Sequence, residues 1–364
     1  MPGLVLSTCG TSLLTNLAGG QRGLVTKHAN ARAPEEVPEA DRDVLAALVQ
    51  KVDDTLREAS AGEYAEYSAE LNGLLLYYEG CLDRGRDTHW LIATDTWLGT
   101  ATAEALARVL EEAGHIVEVK RIGDLRTDSL EEFRCAMAEL ARLCAREVRG
   151  YREAGWRVVF NLTGGFKSVQ GFMQVLGMLY ADESVYVFER TRELLRLPRL
   201  PISLDARGLV RSHQRLFRRL AAGLPVPAAD VESVPDTLIM ELDGQVTLSV
   251  WGEVVWAEAG HDLLEERLWE PMDDKLRFGP GFEETVSGYD KDRIRQVNQR
   301  LMQLARHLHE GSYNPRALDF KQLAVPHGAS THECDAWADQ DARRMFGHFD
   351  GGVFVLDALG KALH

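Results

Sequence analysis

The sequence predicts an α/β protein in three parts: a doubly wound parallel sheet over residues 1–205, a winged-helix-like connector over 206–277, and a small α+β domain over 278–364. Three observations predict it. Short apolar runs alternate with amphipathic helical stretches through the first half, the pattern of parallel strands joined by helical crossovers. Three of those runs stop in loops rich in hydroxyls and glycine, as strand ends that carry function do. After Pro198–Pro201 the order changes to helix, hairpin, helix, and then to one long helix followed by short strands.

In chain order, Gly3–Ser7 is an apolar run closed by the Gly/Thr/Ser/Asn-rich segment Thr8–Gly20, which reads as a buried strand and its loop. An acidic connector at Pro34–Pro38 precedes Asp41–Ala59, where Val44, Leu45, Leu48, Val49, Val52 and Leu56 share one helical stripe. Ala65–Tyr78 is a second helix. His89–Ala93 is a strand ending in Thr94–Asp95–Thr96, with the helix Ala101–Ala113 after it. Ile116–Arg121 is a strand, Ser129–Ala154 a long helix and Arg157–Leu162 a strand. This last strand runs through Thr163–Ser168 into the helix Val169–Tyr180, and Val185–Phe188 closes the series. Beyond it lie a basic helix Gly208–Ala222, a linker Pro225–Pro235, two strands about an Asp243–Gly244 turn, and the helix Gly252–Trp269. After the Pro271–Pro280 break come the amphipathic helix Asp290–His309 and the strands Thr331–Trp337, Arg343–Phe349 and Gly352–Leu359.

Composition narrows the class. The 364 residues are 45% apolar and 27% charged, enough to bury several cores. A disordered chain and a globally basic nucleic-acid coat are excluded, because 41 bases face 56 acids for a net charge of −15. Cys9, Cys81, Cys135, Cys144 and Cys334 form no C-x-x-C pair, so reduced thiols and no metal site are expected. The start MPGLVLSTCG lacks the features of a signal peptide, and no stretch approaches the ~20 apolar residues of a membrane span. The expectation is a cytoplasmic protein with no membrane partner.

The three loops are Ser7–Thr8–Cys9–Gly10–Thr11–Ser12, Thr94–Asp95–Thr96, and Asn161–Leu162–Thr163–Gly164–Gly165–Phe166–Lys167–Ser168. Each alone reads better as a tight strand–helix turn, with Lys167 a solvated side chain. Together they point to a phosphate-containing ligand, because glycines allow close backbone approach and a helix N-terminus favours an anion. Lys167 adds a positive charge. Neither G-x-x-x-x-G-K-[ST] nor G-x-G-x-x-G is present, so the ATPase and dehydrogenase readings lose their main support.

STCGTS after the first strand, YSAELN at Tyr67–Asn72, ATDT at Ala93–Thr96 and NLTGGFKS together resemble a CRISPR-associated Rossmann-fold (CARF) sensor domain over about residues 1–200. The resemblance implies a homodimer that binds cyclic oligoadenylate, cyclic tetra-adenylate first among the ring sizes, as an allosteric activator with no further cofactor. A two-fold dimer suits a ring of identical nucleotides. Some relatives also cut the ring with a hydroxyl near the first loop and the lysine of the GGFK loop. Ser7, Thr8, Thr11 and Lys167 match those positions.

The last 87 residues read as one helix packed on a short antiparallel sheet, with Lys321, His332, Arg343, Arg344, His348 and Lys361 as the candidate catalytic set. Metal-ligand spacing is lacking, so the chemistry open to them is proton transfer and phosphate neutralisation in RNA cleavage by the 2′-hydroxyl. Each is also a common surface residue. Alternation puts Arg344, Phe346 and His348 on one face of their strand and Arg343, Met345 and Gly347 on the other. The order Lys291–His309, Leu318-x-x-x-x-Leu323, HECDAW, RRMFGHF, GVFVLDALGK resembles the RelE family of mRNA interferases. That resemblance implies cleavage of mRNA in the ribosomal A site, with ribosome and mRNA as partners. Its phosphate-contacting arginine falls on Arg344, or on Arg343 one register away, and its lysines on Lys321 and Lys361. The family's C-terminal tyrosine or histidine has no clean counterpart; His364, His332 and His348 are the substitutes, which leaves the general acid and base open. The expected function is therefore a cyclic-oligoadenylate-activated endoribonuclease. The alternatives are a ring nuclease, or a ligand-responsive DNA-binding regulator that uses Arg211, Arg215, Arg218 and Arg219.

Overall fold

The computed structural model describes residues 2–188, 193–226, 231–232, 234–242 and 244–362. Asp243 of the expected turn, His364 and most of the expected linker's interior (227–230 and 233) lie outside the described residues. The chain divides into two compact units, Met1–Ser203 and Leu204–His364.

The first unit is built on six strands: β1 (Gly3–Thr8), β2 (Thr88–Ala93), β3 (Ile116–Arg121), β4 (Arg157–Asn161), β5 (Glu183–Phe188) and β6 (Glu193–Pro198). Their order is β3-β2-β1-β4-β5-β6. β1 to β5 are parallel, and β6 adds an antiparallel edge. The arrangement is α/β and Rossmann-like, with every residue of β1 and β2 buried, as strands covered on both faces must be. On one face Val5, Leu91 and Val159 pack with Leu45, Leu48, Val52 and Leu56 of the helix Glu39–Glu58. Burial of each such side chain is worth roughly 1.5–3 kcal/mol. On the other face Trp90 meets Tyr151 edge-on, with ring centroids 5.6 Å apart.

In this unit two expected helices are interrupted. The stretch read as Ala65–Tyr78 is instead Ala61–Tyr67 and Ala69–Tyr77, because Ser68 turns extended and caps the second helix by accepting from the Leu71 N–H at 3.2 Å. The stretch read as Ser129–Ala154 is α-helical over Leu130–Leu143, π-helical over Cys144–Val148 and α-helical again over Arg149–Glu153. The edge strand β6 has no counterpart in the sequence reading, since it follows the last expected strand and carries Arg196 and two prolines nearby.

The second unit holds both the expected connector and the expected α+β domain. Helices Ala206–Ser212 and Gln214–Ala221, parted at His213, precede the hairpin β7 (Ile239–Leu242) and β8 (Gln245–Leu248) and the helix Val250–Glu266. Val210, Phe217, Leu248, Val255 and Trp269 form their core. Then come β9 (Leu276–Phe278), the helix Lys291–His309, and β10 (Lys321–His327), β11 (Ser330–Trp337), β12 (Arg343–Asp350) and β13 (Val353–Lys361) in the order β10-β11-β12-β13-β9. All pairs are antiparallel except β13–β9. Two of these strands were not expected. β9 is three residues inside the Pro271–Pro280 break, and β10 contains Pro326, which an edge strand tolerates.

The connector is therefore continuous with the domain that follows it. Buried Asn298 ties them: its amide donates to Leu264 O at 2.7 Å and Arg267 O at 2.8 Å and accepts from the Trp269 N–H at 3.0 Å. β9 straddles the expected boundary at 277/278 and pairs with Phe354–Leu356. Among the described residues no helix is long and apolar enough to cross a membrane.

Candidate functional sites

The strand order places a switch point between β1 and β4, where the chain first runs outward through β2 and β3 and then resumes on the opposite side. Open α/β sheets bind ligands at such points, past the carboxyl ends of the strands. The first and third loops of the sequence reading leave β1 and β4 there and are bonded to each other. The Thr8 hydroxyl donates to Gly164 O at 2.6 Å, and the Asn161 amide donates to Ser7 Oγ at 3.2 Å. Gly10 lies against Gly165, where a Cβ would come within 3.2 Å of the facing Cα, and Gly165 adopts φ +89°. Glycine is required at that junction for both close approach and backbone conformation.

Glu70 underlies the junction, and the sequence reading did not single it out. It is 1% exposed. One carboxylate oxygen accepts from the Gly10 N–H at 3.1 Å, and the other from the hydroxyls of Ser12 at 3.0 Å and Ser68 at 2.8 Å. A Cβ on Gly164 would overlap its side chain at 2.3 Å. The break at Ser68 brings Glu70 into the first turn of a new helix, aimed at the first loop. The YSAELN segment carried this signal.

The loop residues divide by exposure. Ser7, Thr8, Gly10, Asn161 and Gly164 are buried framework, whereas Thr11, Ser12, Thr163, Gly165 and Phe166 are half-buried and Lys167 and Ser168 are exposed. The second loop is mostly structural: buried Thr96 caps the helix Trp97–Glu112 and bonds Thr94 at 2.9 Å. Asp95 accepts from Arg121 at 2.7 Å and from the Asp124 N–H at 3.2 Å. Burial works against its charge, but these donors outweigh it and hold the carboxyl below the usual range. The helix Lys167–Tyr180 is capped by Phe166, which makes no side-chain cap bond. Among the described residues its cap residue thus offers the first-turn N–H groups no side-chain acceptor, unlike those of the helices capped by Ser68, Thr96 and Ser129. An uncapped positive helix end, glycines and an exposed lysine make a surface that accepts an anion.

On the C-terminal sheet, register sorts the six catalytic candidates. Cys334 and Met345 are paired and pack with Val297, Leu301 and Leu304 of the helix Lys291–His309. Arg344, paired with Asp335, and Lys321, paired with Glu333, take the other face with His348. His332 lies on the helix side, stacked on Phe320 at 5.4 Å, and burial lowers its pKa. Arg343 donates to the Tyr289 hydroxyl at 3.1 Å, and Lys361 is its register partner. The structure thus brings together Arg344, Lys321 and His348, and separates Arg343, Lys361 and His332 from them.

Arg344 is held by three carboxylates: Glu333, Asp319 at 2.9 Å and Asp335 at 2.9 Å. Lys321 joins the cluster through Asp319 at 2.7 Å. The Lys321 bond, with Arg344, holds the Asp319 carboxyl below its usual range, while burial raises that of Asp335. Any phosphate reaching Arg344 must compete with these acids. The expected basic face of the connector is split: Arg211 and Arg215 are exposed, Arg211 paired with Glu266, whereas the other two are buried. Arg218 and Arg219 are 4% and 6% exposed and donate to the carbonyls of Glu270, Pro225 and Met272. Burial pulls the Arg218 guanidinium down to about 10. Neither is placed to grip DNA.

No curated protein matches the chain. Residues 65–200, which include Glu70, the Thr94–Thr96 loop and the Gly164–Lys167 loop, match a family model described as CRISPR-associated protein (Cas_APE2256), so over that segment the chain is similar to a CRISPR-associated protein.

Proposed function

We propose that the chain is a cyclic-oligoadenylate sensor of the CARF type joined to a RelE-like endoribonuclease, and that ring binding switches on cleavage of ribosome-bound mRNA. The observation that carries the reading is the junction of the Ser7–Ser12 and Asn161–Ser168 loops at the β1/β4 switch point, beside an uncapped helix N-terminus, in a chain whose residues 65–200 match a CRISPR-associated family. A cyclic oligoadenylate carries one phosphate per nucleotide, and in each protomer one of them would meet Lys167 and the first-turn N–H groups. A homodimer would present the loops twice to a symmetric ring. The exposed Leu195 and Leu197 of edge strand β6 are apolar surface available to such a dimer.

The output half rests on Arg344, Lys321 and His348 sharing one sheet face. In this reading Arg344 and Lys321 neutralise the scissile phosphate and His348 transfers a proton, with no metal. The residual alternative is a ring nuclease. The exposed Lys167 and half-buried Thr11 keep it open, while buried, hydrogen-bonded Ser7 and Thr8 are poor nucleophiles for it. A substrate panel separates the readings: full-length protein with saturating cyclic tetra-adenylate is given naked RNA, translating ribosomes and promoter DNA, and the fate of the ring is followed. The proposal requires mRNA cuts on ribosomes. Ring cleavage with intact mRNA, or DNA binding alone, refutes it.

A further inference from the structure

We propose that Asp357 is the positioning residue that fixes the tautomer of His348, so that His348 Nε2 is the atom that takes the proton from the attacking 2′-hydroxyl; this rests on the endoribonuclease reading above. Asp357 was not among the candidates, and its place comes from a β-bulge. β12 and β13 pair in step from Arg343↔Lys361 to Phe346↔Ala358, and then resume at Gly347↔Leu356. Asp357 is the residue left without a partner, and a bulge re-aims the side chain it inserts. The strands can close tightly here because residue 347 is glycine: a Cβ would stand 2.3 Å from Val355 O and 2.8 Å from the Phe354 ring.

The bulge brings Asp357 Oδ2 to 2.9 Å from His348 Nδ1, and the same oxygen accepts from the Ser330 hydroxyl at 2.7 Å. Two donors on different strands fix the carboxylate. An ionised carboxylate only accepts, so Nδ1 must carry the ring proton. In the neutral imidazole this leaves the Nε2 lone pair unprotonated. The His348 side chain is 30% exposed, so a substrate can reach it. It stands four residues from Arg344 on the same face, about 13 Å along the strand, with Phe346 between them. In the step, the 2′-oxygen bonds to phosphorus while its proton passes to Nε2. The P–O5′ bond breaks, the leaving 5′-oxygen takes a proton from water, and imidazolium returns its proton to solvent. The products are a 2′,3′-cyclic phosphate and a 5′-hydroxyl.

The test compares full-length parent, Asp357→Asn, His348→Ala and the double variant on ribosome-bound mRNA with saturating cyclic tetra-adenylate. A general base is worth roughly a hundredfold or more. His348→Ala and Asp357→Asn should therefore each lower kcat by about that much with KM within twofold, and the double variant should be no slower than His348→Ala. Ring-nitrogen NMR of histidine-labelled protein, assigned by the signal missing in His348→Ala, should show the Nδ1–H tautomer in the parent and a mixture in Asp357→Asn. If the parent cleaves and Asp357→Asn matches its rate, or the parent His348 is the Nε2–H tautomer, the inference is overturned while the endoribonuclease reading stands. If the parent does not cleave mRNA at all, that reading falls and takes this role of Asp357 with it.

Discussion

At the switch point of the N-terminal sheet, Ser7, Thr8, Asn161 and Glu70 bond within the framework and leave Lys167 exposed. On the C-terminal sheet, the positive side chains are satisfied by carboxylates of neighbouring strands. Glu70 spends both oxygens on Gly10, Ser12 and Ser68, and so shapes a loop without cancelling Lys167. Glu333, Asp319 and Asp335 converge on Arg344 itself. The first site is built to receive an anion as it stands, whereas the second must exchange partners before it can. That difference fits the separate sensing and output sites of the proposed function.

The largest effect expected from breaking this contrast is at Arg344. Arg344→Ala removes a guanidinium from the transition state, for a rate loss on the order of a hundredfold or more. It also leaves Glu333, 2% exposed, with only the longer Lys321 pair at 3.8 Å, at a cost of about 3 kcal/mol. The assay is therefore run well below the variant's melting temperature, where ring binding should match the parent. On the sensor side, Lys167→Ala should weaken cyclic tetra-adenylate binding by about tenfold or more, since a charge-assisted contact is worth roughly 1.5–3 kcal/mol. Calorimetry showing unchanged affinity would remove Lys167 from the site.

A smaller effect sharpens the comparison from the far end of the N-terminal sheet. His89 is fully buried beside Tyr78 and His115, and burial pushes its pKa from 6.5 down to about 3. Because the folded value lies below the unfolded one, protonation favours unfolding. Stability is complete above pH ~6.5 and declines as pH falls from there toward about 3. At pH 5 the loss is about 2 kcal/mol. Melting temperatures at pH 7 and 5 should show a drop that His89→Leu reduces; an equal drop in both proteins would assign the acid sensitivity elsewhere. The smallest effect is at Arg343, on the helix side with Tyr289 and Asp341. Arg343→Ala should cleave within threefold of the parent, and a loss equal to that of Arg344→Ala would show that the face assignment is reversed.

What could be read in the sequence follows the same division. The N-terminal loops are contiguous segments at strand ends, so residue type and periodicity located them, and the parallel strands were legible from apolar runs. Glu70 was missed because its role depends on the helix break at Ser68, which periodicity cannot see through an otherwise continuous helical stretch. On the C-terminal sheet, alternation placed Arg344 and His348 on a common face, but the carboxylates around Arg344 come from β11 and from Asp319 just before β10, a strand that was not expected at all. Asp357 depends on a one-residue register shift. β9, three residues long with a central arginine, is defined only by its pairing with β13.

The central claim is that a ring bound at the β1/β4 switch point controls cleavage on the C-terminal sheet. The measurement that tests it most directly is the rate of mRNA cutting on translating ribosomes by the full-length protein, with and without saturating cyclic tetra-adenylate, beside Lys167→Ala at a ring concentration near the parent's Kd. The account predicts cleavage that depends on the ring and falls with ring occupancy in Lys167→Ala. Cleavage at one rate with or without the ring, or no cleavage in either case, would contradict it.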